Sequence, residues 1–352
     1  MISQFIISLI VASLISLMTT PLVRNFFIKR NWVEYPWEKQ KKTKNATALA
    51  PVPRGGGIPV YLAVVLTIIL FLPLDKHLLG IIIACTINLL VGVADDLWDL
   101  SPGFRLITNV LAALAIVISG IGIAFLSNPF GGVIDFSLWR YDFTLFGLPH
   151  SIWIVSDLLA IIWITWCTNI VGWSTGVDGQ LPGLVVIAAT FIGILGLRFH
   201  NDITQWPVIV LAGALAGAYL GFLPYNIFPQ SIMPGYGGKS LAGLLLAVLA
   251  ILSGAKLATL ILLLSVPMVD AIFVIIRRLL NHQSIFQSDN RHLHHQLLRL
   301  GWKRSQIAVF YWLVSLLFGI ISLFLNSTQK FYAFLGIFLL LFSFTWRLSR
   351  RI

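Results

Sequence analysis

Eleven mostly apolar runs, separated by short polar stretches, set the rhythm of this chain: roughly 2 to 22, 57 to 74, 78 to 94, 106 to 126, 152 to 168, 183 to 197, 208 to 226, 240 to 254, 257 to 276, 306 to 325 and 331 to 346. A helix needs about 20 such residues to cross a bilayer, and shorter ones are tolerated. The pattern predicts an all-α polytopic membrane protein with about eleven transmembrane helices. No basic residue precedes the first run, and its first charge, Arg24, lies beyond its end, so it reads as a retained helix rather than a cleaved signal. The polar segment 127 to 150 alternates apolar residues in the manner of a small hairpin. No fixed-period repeat and no low-complexity tract appear, which favours one integral-membrane domain over residues 1–352.

Charge orients the runs. Of 24 Lys and Arg, 19 fall in the odd-numbered connections and the C-terminal tail, leaving Lys76, Arg140, Arg198, Lys256 and Lys330 in the even ones. By the positive-inside rule the odd loops are cytoplasmic, the N-terminus is outside and the C-terminus is cytoplasmic, as in a multi-pass protein of the cell inner membrane. Composition agrees, since 58% of the residues are hydrophobic and 11% charged, which excludes an ordinary soluble fold. A net charge of +11 could suggest nucleic acid, but the basic residues sit in short loops between apolar runs, where they meet membrane lipid or a phosphorylated substrate; no nucleic-acid partner is expected. Cys85 and Cys167 both lie in apolar runs and read as packing residues.

The chemistry-bearing residues fall in the five predicted cytoplasmic loops, approximately 39–57, 95–105, 169–183, 226–240 and 277–304. Asp95, Asp96 and Asp99 stand at the end of the third run, where the helix macrodipole disfavours negative charge, so a cation is expected there: Mg²⁺ with phosphate oxygens, or an ion pair with Arg105. The glycine-rich loop from Asn169 carries one acid, Asp178, between Gly176 and Gly179, suited to accept hydrogen bonds from a base or sugar. The loop from Asn226 ends in Gly237, Gly238 and Lys239, whose backbone N–H groups and cation suit an anion, although no P-loop is present. Arg291, His292, His294 and His295 read as hydrogen-bond donors to a pyrophosphate or lipid phosphate; His292 and His295 could share a face toward Zn²⁺, but no partner Cys or Glu has ligand spacing. Lys41 and Lys42, in a four-lysine stretch before Arg54 and three glycines, suit lipid or a phosphorylated ligand.

Together these residues resemble the polyprenyl-phosphate N-acetylhexosamine-1-phosphate transferase superfamily, of glycosyltransferase family 4 type, from about Lys39 to His295. Pro51-Val-Pro-Arg-Gly-Gly-Gly57 resembles its first cytoplasmic signature and Asp95-Asp96 through Leu100-Ser101-Pro102 its acidic one. Asn169 with Val177-Asp178-Gly179 is similar to its long asparagine and aspartate motif, Asn226 with Pro229 to its Asn-x-x-Pro segment, and Pro267, Asp270 and Arg277 to the pattern leading to its histidines. Arg291-His-Leu-His-His295 is similar to the N-acetylglucosamine-1-phosphate branch rather than the muramoyl-pentapeptide branch. The resemblance implies attack by a polyprenyl phosphate on the β-phosphate of a UDP-sugar, with Mg²⁺ assisting and UMP leaving, in synthesis of a cell-envelope polysaccharide or glycolipid. It places Asp95 and Asp96 at the metal and the lipid phosphate as the catalytic pair. The same resemblance implies that Asp178 helps read the uridine and that Asn169, Asn226, Lys41 or Lys42, Arg291, His292, His294 and His295 bind substrate. A homodimer is compatible with it.

Three positions depart from the family pattern. Gly172 and Thr175 stand where the family has its second Asn and first Asp, and Tyr236 stands where it has a metal-ligand Asp. A tyrosine that titrates near 10 is a poor Mg²⁺ ligand at neutral pH. Lys239 is expected to replace part of the missing metal charge, giving a chain that binds a nucleotide sugar but turns over slowly, with altered metal dependence, or not at all. Two other readings stay open: a catalytically degenerate nucleotide-sugar or lipid-phosphate binder, and an intramembrane prenyltransferase, which should show a second acidic cluster.

Overall fold

The computed structural model describes residues 1–38, 49–145, 148–199, 202–254, 256–284 and 291–351. Every apolar run meets a helix: α1 (Ile2–Lys29), α2 (Gly57–Phe71), α3 (Lys76–Trp98), α4 (Pro102–Ile118), α5 (Ile154–Ser174), α6 (Gln180–Leu197), α7 (Trp206–Asn226) and α8 (Gly235–Leu252), then the pair α9 (Leu257–Leu263) and α10 (Ser265–Leu280). A short α11 (Leu293–Arg299) precedes α12 (Arg304–Phe324) and α13 (Ser327–Arg351). Among the described residues eight helices are long and apolar enough to cross a membrane, or nine if α9 and α10 are one broken span. Helices α2 and α4 are apolar but shorter, at 15 and 17 residues.

The run from 257 to 276 is not one straight helix. It bends by 81° between α9 and α10. Pro267, in the first turn of α10, has no N–H to give to the carbonyl four residues back, and its ring crowds that carbonyl, so the helix breaks there.

Close helix approach comes from small residues. Gly213, Gly217 and Gly221 form one row on α7, and a Cβ on any of them would collide with the α1 backbone at Phe5, Leu9 or Ser13. In hydrocarbon such contacts hold helices through van der Waals packing rather than through exclusion of water. Tyr225 at the end of α7 donates to the Leu17 carbonyl of α1 at 3.0 Å. Gly57 of α2 and Gly92 of α3 meet the Gly237-Gly238 backbone of α8 in the same way, drawing three helices together beside the acid pair. Cys85 and Cys167 are buried and free, as packing residues should be.

The polar segment after α4 forms antiparallel ribbons: β3 (Phe125–Ser127) with β4 (Val133–Asp135), and β5 (Arg140–Leu145) with β6 (Leu148–Trp153). Nearer the N-terminus, β1 (Val33–Glu34) pairs with β2 (Val52–Pro53), which brings Glu34 beside Arg54. Asp157, in the first turn of α5, accepts from the Trp153 N–H at 3.0 Å and so caps that helix.

Candidate active site

The C-terminal ends of α3, α5, α7 and α10 and the N-terminal ends of α4, α6 and α8 open onto one cavity of about 680 Å³. Asp95, Arg105, Asn169, Asn226, Tyr236, Lys239, His292, His294 and His295 all line it. The five loops singled out in the sequence therefore meet on one face of the helical bundle. Leu106, Val110, Ile161, Ile162 and Trp166 supply an apolar wall of the same cavity, reaching toward the spans.

Arg54 is the hub of the acidic side. Its guanidinium lies 3.1 Å from Asp99, 3.2 Å from Asp96, 3.4 Å from Glu34 and 3.6 Å from Asp95. Burial works to lower its pKa, but the carboxylates, Asp96 foremost, outweigh that effect and raise it, so the group is held charged. Asp99 is not on the helical face of Asp95: α3 ends at Trp98, and Asp99 adopts the left-handed conformation (φ 48°), which turns its carboxylate toward Arg54. Arg105 Nε lies 2.5 Å from Asp95 Oδ1, an opposite-charge contact whose angle is not that of a hydrogen bond. Leu100 N–H also donates to this oxygen at 3.0 Å.

Asp95 Oδ2 is buried and accepts no hydrogen bond. A hard anionic oxygen beside a cavity, in charge contact with Arg54 at 3.6 Å but accepting no hydrogen bond from the described residues, fits a divalent cation of the Mg²⁺ type. Among the described residues no group of three His, Cys, Asp or Glu could hold a metal ion. Such an ion would thus complete its shell with water and substrate oxygens, as Mg²⁺ commonly does. Asp96 is nearly enclosed, and its Oδ1 accepts from the Tyr236 N–H at 2.8 Å. The N-terminus of α8 is therefore capped by the chain's own carboxylate rather than left open for a ligand anion. The N–H of Gly238 likewise bonds internally, to the Pro234 carbonyl at 3.0 Å. Only Lys239 of that predicted anion cradle lines the cavity.

A polar relay crosses the cavity from Asp95. The Arg105 guanidinium lies 5.2 Å from the centre of the Tyr236 ring, Tyr236 Oη donates to Asn109 at 3.2 Å, and Asn109 Nδ2 donates to Asn169 at 3.4 Å. Thr175, another departure from the family motif, bonds back to the Val171 carbonyl of its own helix.

The loop between α5 and α6 is locked to the loop after α7. Gln230 donates to both Asp178 oxygens, through Nε2 at 3.0 Å and its backbone N–H at 3.3 Å. Asn226 Oδ1 accepts from Gly179 N–H at 3.1 Å, while its Nδ2 donates to Gln230 and to the Ile232 carbonyl. Burial raises the Asp178 pKa, and the Gln230 N–H partly offsets the rise. Asp178 is buried behind the cavity wall, so in this arrangement it and Asn226 shape the loops.

On the opposite wall His292 Nδ1 lies 2.9 Å from Asp270 Oδ2, and Leu293 N–H donates to Asp270 Oδ1 at 2.7 Å. Asp270 thus fixes both the first histidine ring and the start of α11. The rings of His292 and His294 are parallel, with centroids 5.9 Å apart, and His294 and His295 lie 4.2 Å apart. His294 packs against Gly176, where a Cβ would collide with its Nε2. Arg291 stands just before α11 and does not line the cavity. Lys41 and Lys42 lie outside the described residues.

Several site residues escaped the sequence reading. Asn109, a lone amide within an apolar run, carried a usable signal, because polar groups at membrane depth rarely lack a role. Glu34, Gln230 and Arg278 carried none.

This buried acid–arginine centre, joined to a histidine wall and an apolar flank, can be compared with known proteins. Residues 78–254, half of the chain, match the family model described as glycosyl transferase family 4. The chain belongs to glycosyl transferase family 4. Within that family it is 28% identical to a probable undecaprenyl-phosphate N-acetylglucosaminyl 1-phosphate transferase of Bacillus subtilis (strain 168), over 97% of this chain and 91% of the relative. It is 29% identical to the decaprenyl-phosphate N-acetylglucosaminephosphotransferase of Mycobacterium leprae (strain TN), over 92% and 85%. A phospho-N-acetylmuramoyl-pentapeptide-transferase of Caldanaerobacter subterraneus subsp. tengcongensis is 30% identical, over 75% of this chain and 81% of the relative. These family 4 relatives span both branches weighed from the histidine motif, and the first two share the N-acetylglucosamine wording that the motif form suggested.

Proposed function

We propose that this family 4 protein transfers a sugar 1-phosphate, N-acetylhexosamine-1-phosphate, from a UDP-sugar to a polyprenyl phosphate and releases UMP, in the synthesis of a cell-envelope polysaccharide or glycolipid. The observation that carries this reading is the single cavity that combines Asp95, Lys239 and the histidines with an apolar flank. A diphosphate and the head of an isoprenoid lipid need both surfaces at once. The proposal includes eleven spans, with α2 and α4 as short ones, an external N-terminus, a cytoplasmic C-terminus and a site on the cytoplasmic face of the inner membrane. The 19 to 5 division of basic residues supports that orientation.

In this reaction an oxygen of the lipid phosphate forms a bond to the β-phosphorus of the UDP-sugar. The bond from that phosphorus to the bridging oxygen breaks, and the electron pair leaves with UMP. The product is a polyprenyl diphosphate sugar. The lipid phosphate is already anionic at neutral pH, so no general base is needed and Asp95 acts through charge and position. Two anionic reactants must be brought together in line, which requires cations and fixed geometry. Lys239, His294 and His295 hold the diphosphate oxygens, while Arg105 is kept in place by Asp95 and the Tyr236 ring. Leu106, Val110, Ile161 and Ile162 guide the isoprenoid and exclude water. Asp95 and Asp96 would hold Mg²⁺, which supplies charge neutralisation on the diphosphate.

The test is radiolabelled UDP-N-acetylglucosamine with undecaprenyl phosphate and the purified full chain, with and without Mg²⁺, scoring labelled lipid and UMP. Labelled lipid is expected, and Asp95→Asn with Asp96→Asn should abolish it. Undiminished product from the double variant would remove the acid pair from the mechanism. A second reading, a binder without turnover, is favoured by Tyr236, whose hydroxyl is tied into the Asn109 relay. Nucleotide-sugar binding with no labelled lipid would select it. The prenyltransferase reading lacks its second acidic cluster, since the third loop offers only Asp178, already engaged by Gln230.

A further inference from the structure

The charge pattern leaves one feature on the opposite face of the bundle unexplained. The sequence pattern assigns five of the 24 basic residues to that side, and three of them, Arg198, Lys256 and Lys330, converge at one place. Arg198 follows α6 and donates to the Leu323 carbonyl at the end of α12. Lys256 precedes α9, donates to the Leu195 carbonyl of α6 at 3.4 Å and sits 4.7 Å from the centre of the Phe199 ring. Lys330, in the first turn of α13, donates to Thr259 Oγ1 of α9 at 2.9 Å. Helix ends of α6, α9 and α13 thus each bring a cation to one spot, and the end of α12 supplies a carbonyl there.

The acceptors are all neutral. Two carbonyls at helix C-termini and one hydroxyl satisfy hydrogen bonds, and each helix end contributes only about half a negative charge. Most of three positive charges is left without an opposing carboxylate contact among these groups. Burial, followed by the nearness of Lys330, presses the Lys256 pKa down to about 8, the direction expected of a cation awaiting a counter-ion. Beside the cations two exposed aromatic rings stand, Phe199 against Lys256 and Phe324 next to the Leu323 carbonyl that Arg198 reaches. A free anion has no use for that shelf, whereas a lipid headgroup carries acyl chains that would cover it.

We infer that Arg198, Lys256 and Lys330 form a binding site for the phosphate of an anionic lipid headgroup, on the membrane face opposite the transfer site, with Phe199 and Phe324 against its glycerol and acyl chains. The inference stands apart from the proposed transfer reaction and does not depend on it. Basic pockets between spanning helices take lipid headgroups through this chemistry.

The full-length protein in neutral detergent is titrated with phosphatidylglycerol, with phosphatidylcholine and with inorganic phosphate, and bound lipid is counted by native mass spectrometry. Phosphatidylglycerol should bind in preference to phosphatidylcholine. Lys256→Gln with Lys330→Gln should weaken it about 25-fold, since each cation near an anionic headgroup contributes a factor of about 5. Arg140→Gln, on the same side but paired with Asp142, should leave it unchanged. Equal binding of the two lipids, or full retention by the double variant, overturns the site. Inorganic phosphate displacing phosphatidylglycerol at equal concentration overturns the lipid assignment. Photoactivatable phosphatidylglycerol on the unmodified protein gives a reading independent of variant folding: labelling of segments 198–205 and 323–330 is expected, and labelling confined elsewhere sinks the proposal.

Discussion

Tyr236 lies beneath Arg105, its ring centre 5.2 Å from the guanidinium carbon, while Arg105 reaches Asp95 at 2.5 Å. The tyrosine therefore positions an arginine where the family resemblance implies a metal-ligand carboxylate. Tyr236→Asp would set a carboxylate at that place and draw Arg105 off Asp95. Divalent cations should then bind about tenfold more tightly, read as Mn²⁺ affinity by electron paramagnetic resonance as well as by turnover. Unchanged Mn²⁺ affinity would show that residue 236 has no bearing on the metal.

Arg54 competes with any divalent ion for the same carboxylates, because its guanidinium already touches Asp95, Asp96, Asp99 and Glu34. Arg54→Gln removes the hub and leaves buried charge uncompensated, an effect of about 3 to 5 kcal/mol. Thermal unfolding should occur at markedly lower temperature, and Mg²⁺ should restore more of the loss than it adds to the unmodified protein. Arg54→Lys keeps the charge but not the fork that spans several carboxylates, so an intermediate loss is expected. Equal Mg²⁺ stabilisation of the unmodified protein and the glutamine variant would contradict the competition.

Gly176 is required by its neighbour rather than by its own backbone. It has no positive φ, yet a Cβ there would strike His294 Nε2. Gly176→Ala should displace the imidazole and lower turnover about 10²-fold, as misplacement of a positioned group by about 1 Å does, with little change in unfolding temperature. A matching drop in stability would instead mean that the loop itself had failed.

The helices and the face on which their polar loops meet were legible in the sequence, because a spanning helix must be apolar over its length and the acids are few. Ligand and lock within those loops were harder to tell apart. Asn226 and Asp178 read as ligand groups, and the structure engages both in joining two loops, since Gln230 is 52 residues from Asp178 and no spacing rule links them. Arg54 and Asp99 meet across 45 residues for the same reason. The Gly213, Gly217 and Gly221 row lies at a spacing of four, but an apolar run without its partner helix does not reveal what it packs against. Asp270 meets His292, 22 residues on, and no spacing rule links that pair either.

The basic cluster on the far face gives a pH test with a definite sign. Lys256 titrates near 8 in the folded protein, held down by burial and by Lys330, against an ordinary 10.5. The groups that face it are Lys330, the Phe199 ring and the Leu195 carbonyl, with Arg198 beyond Lys330. Below pH 8 both folded and unfolded chains carry this proton, and the penalty for the crowded cation is present in full. Between about 8 and 10.5 the unfolded chain holds the proton and the folded one does not, so stability rises with pH. The difference in unfolding temperature between the unmodified protein and Lys256→Gln, measured without anionic lipid, should therefore shift in favour of the unmodified protein across that window. Phosphatidylglycerol on the cluster keeps Lys256 charged and should move the shift toward pH 10.5. A difference that stays flat from pH 8 to 10.5 without lipid would mean that Lys256 feels neither the burial nor the neighbour.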